Sequence, residues 1–151
     1  MRKVIVIASL LLLSMAGVFA QTRSVVVAEP QGSANATYKN AAKNMMLSVM
    51  QGMSPISATA NATVDGIVAT TSLNHSSTDV PSSVLASLQA LNGTDYVCYI
   101  LLNESNGRVY AEAMLINCVT GKVERPQTDV VGRNVREVEV AVSKFAKTLV
   151  F

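Results

Sequence analysis

The stretch that decides the fold is Leu91–Val123, LNGTDYVCYILLNESNGRVYAEAMLINCVTGKV. At its centre stands Asn106-Gly107, the dipeptide a two-residue hairpin turn favours, because both turn residues must adopt φ > 0. The flanks, Asp95–Asn103 and Arg108–Cys118, are rich in Val, Ile, Leu and Tyr and read as the two strands. If Asn106 and Gly107 form the loop, Ser105 pairs with Arg108 and Cys98 lies opposite Leu115. Strand side chains alternate between faces. One face then carries Cys98, Ile100, Leu102, Ala111, Ala113 and Leu115, all apolar. The other carries Val97, Tyr99, Leu101, Glu112, Met114 and Ile116, with one charge. A sheet apolar on both sides is expected to be covered on both.

The same register decides the cysteines. Cys98 and Cys118 are the two in the chain. Cys118 falls opposite Asp95, three residues from the partner of Cys98, or about 10 Å at strand rise. A disulfide needs Cα atoms within about 7 Å. The two thiols also point to opposite faces, so they are expected free and mostly buried.

Outward from the hairpin, the periodicities mark the remaining elements. Ser24–Glu29 reads as a short buried strand, broken by Pro30-Gln31-Gly32-Ser33. Tyr38, Ala41, Ala42, Met45, Met46, Val49 and Met50 recur at helical spacing, with Lys39, Lys43 and Asn44 largely on the other side. Asn35 or Thr37 can cap this helix and Gly52 can end it. Its methionines read as core filling. Ser54–Ala60 reads as a second strand, and Asn61 or Thr63 can cap a short helix near Val64–Ala69. Leu73–Val80 reads as a loop. Pro81 can open a helix with Val84, Leu85, Leu88 and Leu91 on its apolar face, ended by Asn92-Gly93. After the hairpin, Thr120-Gly121 turns the chain into a third strand, Lys122–Val131, which Gly132 breaks. Asn134 caps a final helix with Val135, Val138, Val142, Phe145 and Leu149 as its stripe. The expected fold is α/β (α+β): a mixed, mostly antiparallel sheet of four or five strands packed by three or four helices.

The residues Asp95-Tyr96-Val97, the return strand Ala113-Met114-Leu115-Ile116-Asn117, the following Val119-Thr120-Gly121-Lys122-Val123 and the terminal amphipathic helix together resemble a family of small α/β domains of the Gram-negative cell envelope. That family includes the N-terminal domain of the Tol-system propeller protein, the periplasmic domain of the curli secretion channel and the lipoprotein activators of penicillin-binding proteins. The resemblance implies a protein-binding or assembly module and no catalytic set. Asn117 stands where the family usually has Asp. Many relatives are lipoproteins, and this chain has no cysteine near the expected cleavage point, so no lipid anchor is expected.

Met1–Ala20 has the three parts of a secretory signal peptide: Arg2 and Lys3, an apolar run from Val4, and Val18-Phe19-Ala20 before the cut. A membrane anchor would need about 20 apolar residues, and Ser9, Ser14 and Gly17 interrupt this run. Cleavage leaves residues 21–151, one domain by length, periplasmic or secreted, with no membrane span. The mature chain loses Arg2 and Lys3 and becomes formally neutral, with no basic stripe, so nucleic acid is not an expected partner.

Catalytic patterns are weak. His75 is the one histidine; with Ser76, Ser77 and Asp79 it shares a polar loop, a poor support for a triad. No Gly-x-Ser-x-Gly elbow, phosphate loop or dinucleotide motif is present. One histidine and two separated cysteines do not make a standard zinc site. Neither cofactor nor metal is expected, nor an enzyme. Asn-x-Ser/Thr triplets begin at Asn35, Asn61, Asn74, Asn92 and Asn103 and read as incidental in a bacterial protein. The leading expectation is an exported binding or assembly module with an envelope protein partner, engaged by the hairpin tip Glu104–Arg108 or an open sheet edge. The alternative is a small-molecule or glycan-binding domain with Tyr99 and Met114 lining a pocket between helices and sheet. A hydrolase with an unrecognised site ranks third.

Overall fold

The computed structural model describes residues 21–74, 76–125 and 130–149. The expected signal peptide, His75 and part of the expected third strand lie outside the described residues. Ten elements follow in order: β1 (Arg23–Val27), α1 (Ala36–Gln51), β2 (Ile56–Thr59), α2 (Ala62–Ala69), α3 (Ser82–Gln89), β3 (Tyr96–Ser105), β4 (Arg108–Asn117), β5 (Val123–Glu124), β6 (Val130–Gly132) and α4 (Val135–Thr148). The sheet order is β2-β1-β3-β4-β5, with β6 also on β4. β1 is parallel to β2 and β3; the β4 pairings are antiparallel. The fold is therefore the expected mixed α/β one, with six described strands in place of four or five.

The hairpin register is the one the turn dictates. Ser105 faces Arg108 and Cys98 faces Leu115, and Asn106 and Gly107 take φ 52° and 67°, the two positive values such a turn requires. The third strand departs from expectation. Within the expected Lys122–Val131 two described pieces pair with β4 in different registers: β5 with Leu115 and Ile116 near its end, and β6 with Val109–Ala111 near its start. Residues 126–129, between the two, lie outside the described residues.

Helix ends obey local chemistry. Asn35 caps α1 by accepting from the backbone N–H groups of Thr37 and Tyr38, and Asn61 caps α2 through those of Thr63 and Val64. Asn134 accepts from the Glu137 N–H while Glu137 accepts from the Arg133 N–H and the Asn134 side chain, a reciprocal cap on α4. Asn74 Oδ1 accepts from Ser76, and Asn103 Oδ1 accepts from the Ser33 N–H. Four of the five triplet asparagines thus have a structural reason to be asparagine.

The two sheet faces carry two separate cores. On one, α1 and α4 bury Met46, Met50, Val142 and Phe145 against Val25, Cys98, Ile100, Leu102 and Ala113. On the other, α2, α3 and the loop between them bury Val64, Val68, Leu73 and Leu88 against Val97, Tyr99, Met114 and Ile116. The alanines at 111 and 113 let α4 approach its face closely. Between β1 and α1 the chain continues beside β3, its N–H groups at Ala28, Gln31 and Ala34 donating to the Cys98, Ile100 and Leu102 carbonyls. Gly32 makes this possible: φ is +100° and a Cβ there would lie 2.2 Å from the Leu102 carbonyl oxygen.

Candidate functional site

The expected sites resolve differently. Tyr99 and Met114 are 2% and 0% exposed and sit in the core under α2 and α3. Their burial leaves no side-chain surface open to solvent for a ligand. Burial raises the Tyr99 phenol pKa, only partly offset by a hydrogen bond from the Leu73 backbone. Asp79 pairs with Lys122 at 2.8 Å and accepts from Thr78, which holds its carboxyl below the usual range. It is therefore committed to anchoring the loop to the start of β5. Among the described residues no cluster of three His, Cys, Asp or Glu could hold a metal ion.

Both cysteines are free and buried, one in each core. Burial pushes the Cys98 thiol up to about 12, and burial with the nearby Asp95 charge pushes Cys118 up to about 11. Thiols so shifted are protonated at neutral pH and poor nucleophiles. Cys118 donates its backbone N–H to the Asp95 carbonyl, as the register requires.

Asn117 has a clear task. Its Oδ1 accepts from the Val119 and Thr120 N–H groups, and its carbonyl accepts from Gly121. An amide oxygen closes this turn as a carboxylate would.

Three surface features belong to the sheet itself. The first is an open cleft of about 390 Å³ at one end of the sheet, bordered by Arg23, Asp95, Tyr96, Asn117 and Val119. Its polar groups are largely spent on the fold: Arg23 donates to the Tyr96 hydroxyl at 3.0 Å, and Asp95 accepts from the Ser24 N–H at 2.7 Å. The second is the β2 edge. It is four residues long, the Ile56 N–H donates to Met53, and Gln51 Nε2 donates to the Ala58 carbonyl. Little open ladder remains there for an incoming strand.

The third is the distal half of the β3–β4 hairpin, on the face that α2 and α3 cover. The buried core under those helices ends at Tyr99 and Met114, with Leu101 packed half-buried at its edge. Beyond them Tyr110 and Val131 stand opposite each other in register, 44% and 46% exposed. Beside them Arg125 and Glu112 form an ion pair at 2.8 Å. Asn103–Gly107 is exposed throughout. The result is a projecting arm with one bare side, an aromatic and a valine at its middle and the hairpin tip at its end.

The ion triad at Lys43 was not visible in the sequence. Its ammonium lies 2.7 Å from Glu29 and 3.0 Å from Asp65, at 15% side-chain exposure. It joins α1, α2 and the end of β1. Burial pulls its pKa down, but the two carboxylates outweigh that and the net shift is upward.

By sequence, no protein-family model and no curated protein matches the chain. By structure, it is similar to a PelC dodecamer subunit from Paraburkholderia phytofirmans, with TM-score 0.52, 10% identity, and 88% of this chain and 91% of that one covered. It is also similar to lipoprotein GNA1162 from Neisseria meningitidis, with TM-score 0.50, 18% identity, and coverage of 84% and 99%. The LpoB C-terminal domain from Salmonella enterica gives 0.48 at 15% identity, covering 82% and 90%. At such identities the likeness is one of fold: this chain has a fold also found in a bacterial lipoprotein. Among the described residues no helix is long and apolar enough to cross a membrane.

Proposed function

We propose that this chain is an exported, non-enzymatic binding or assembly module of the bacterial cell envelope that engages a protein partner with its β3–β4 arm. The observation that carries the reading is the exposed Tyr110–Val131 pair on the half of the sheet that α2 and α3 leave bare. Tyrosine is enriched in protein interfaces because it offers a large, stiff, amphipathic surface. A half-exposed aromatic on a sheet otherwise shielded by helices suits docking better than solubility. The fold shared with lipoprotein GNA1162 and the resemblance to envelope assembly domains support the setting. The Tol-system and curli domains are the analogies of role. In this reading the chain is cleaved behind Ala20 and works in the periplasm or outside the cell.

The sheet-end cleft favours a second reading, a small-ligand-binding domain, because Arg23, Asp95 and Tyr96 border it. It ranks lower because those groups already bond to each other and to the backbone.

The test is in-cell photocrosslinking with a photoreactive residue placed in turn at Asn103, Arg108, Tyr110 and Val131. Specific adducts with an envelope protein from these positions are expected. A folded, exported protein giving no protein adduct from any of them would sink the reading, and a ligand response in a thermal-shift screen, abolished by Arg23→Ala, would favour the cleft.

A further inference from the structure

The mature chain is formally neutral, but its charge is unevenly placed. α1, α4 and the adjoining Arg133 hold six of the ten basic residues of the mature chain and two of its ten acidic ones. Lys43 is tied off by Glu29 and Asp65, and Glu137 is consumed by the α4 cap. What remains on the outside of this layer is Lys39, Arg133, Arg136, Lys144 and Lys147 against Glu139.

Four of these, Arg136, Glu139, Lys144 and Lys147, border a concavity. Between α1 and α4 runs a groove of about 390 Å³, bordered by Met45 and Val140 and by Arg136, Glu139, Lys144 and Lys147. Val140 is 50% exposed, an unusual position for a valine on a helix whose other apolar residues are mostly buried. Arg136, Val140, Lys144 and Lys147 follow one another at i, i+4, i+8 and i+11, one ridge of the helix, about 16 Å long. Among the described residues none of the three bases forms an ion pair.

From this placement we infer that the α1/α4 groove is a second docking site, and that its occupant is an acidic amphipathic segment of a partner protein. Such a segment sets one apolar side chain on Val140 and Met45 and carboxylates against Arg136, Lys144 and Lys147, the helix-in-groove mode of recognition. Charge complementarity selects the acidic character. The shape selects a protein segment over an anionic lipid surface, because a groove receives a ridge. Glu139 in the wall would face a lipid phosphate layer, whereas a folded segment can place a polar or basic group opposite it. The site lies on the opposite side of the sheet from the arm, so one module can hold two partners, or two parts of one, and the inference does not depend on the arm.

The test uses the full chain, exported in cells, with a photoreactive residue at Val140 and mass-spectrometric mapping of the crosslinked peptide. The expected adduct maps to a segment with Asp or Glu at helical spacing around an apolar residue. It is lost in Arg136→Glu/Lys144→Glu, weakened several-fold in the milder Arg136→Gln/Lys144→Gln, and unchanged by Tyr110→Ala. Both double variants are checked for an unchanged melting temperature; the milder pair keeps the test valid should charge reversal unfold the chain. No adduct, an adduct with a non-acidic segment, or one indifferent to both double variants overturns the inference. So does co-sedimentation of the purified mature protein with phosphatidylglycerol vesicles that the charge reversal abolishes, which would assign the groove to lipid.

Discussion

The two faces of the sheet share one hairpin but not one fate. On the first, α1 has 16 residues and α4 has 14, or about 24 and 21 Å of helix, laid along strands of about 33 Å. Their core runs out to Val109, two residues from the turn. On the second, α2 and α3 have 8 residues each, about 12 Å, and the core stops near Tyr99 and Met114. Both faces are apolar along the strands, so pattern alone does not distinguish them. Helix length does. The long pair makes one side a foundation; the short pair leaves the other side with an unused half, and Tyr110 stands on it.

This contrast is easiest to break at the foundation. Phe145→Ala removes a fully buried ring from the first face and is expected to cost about 3–5 kcal/mol, read from urea unfolding. Tyr110→Ala on the bare half is expected to cost under about 1 kcal/mol. Equal costs would mean that the bare half is structural after all. Gly32→Ala comes next. The Cβ clash and the positive φ are expected to cost about 2–3 kcal/mol, by pushing the strap after β1 off β3.

Lys43→Met is expected to cost about 2 kcal/mol at neutral pH, because Glu29 and Asp65 would face each other without their cation. The same residue sharpens the alkaline behaviour. A group whose folded pKa is raised stabilises fully below its unfolded pKa and loses that contribution as pH rises through the folded value. Cys98, raised from 9.0 to about 12, and Cys118, raised from 9.0 to about 11, therefore erode stability from pH 9 upward, and Lys43, raised from 10.5, adds to the loss at still higher pH. Unfolding monitored from pH 7 to 11 is expected to be flat to about pH 9 and to fall beyond it. Cys98→Ala is expected to make the first part of the fall shallower, with Cys118 sustaining the remainder. The smallest of these effects are at the caps: Asn35→Ala and Asn61→Ala each cost about 1 kcal/mol, measured as a lowered urea midpoint.

Much of the foundation was legible in the sequence, because it rests on local rules. Asn106-Gly107 set the hairpin register to the residue, and with it the opposite facing of the two cysteines. Three helix starts were legible, Asn134 as the cap of one and Asn35 or Thr37 and Asn61 or Thr63 as candidates for the others, of which the asparagines cap, and the stripe from Val138 to Phe145 announced the face of α4. The features that bear on function are tertiary. Lys43 reads as an outward residue of α1 until the topology brings Glu29 and Asp65 beside it. The third strand reads as continuous through Pro126 because each half has strand composition. The bare half of the arm reads as covered because alternation tells which side is apolar, not how far a helix reaches along it. The groove between α1 and α4 joins residues about 90 positions apart, and only the half-exposed Val140 marked it.

The most direct measurement compares two positions on the same sheet face. A photoreactive residue at Tyr110 samples the bare half, and one at Ser83, on exposed α3, samples the covered half. In cells exporting either variant to equal levels, the account predicts a specific adduct with an envelope protein from position 110 and none from position 83. Equal labelling from both positions, or labelling from position 83 alone, would contradict it.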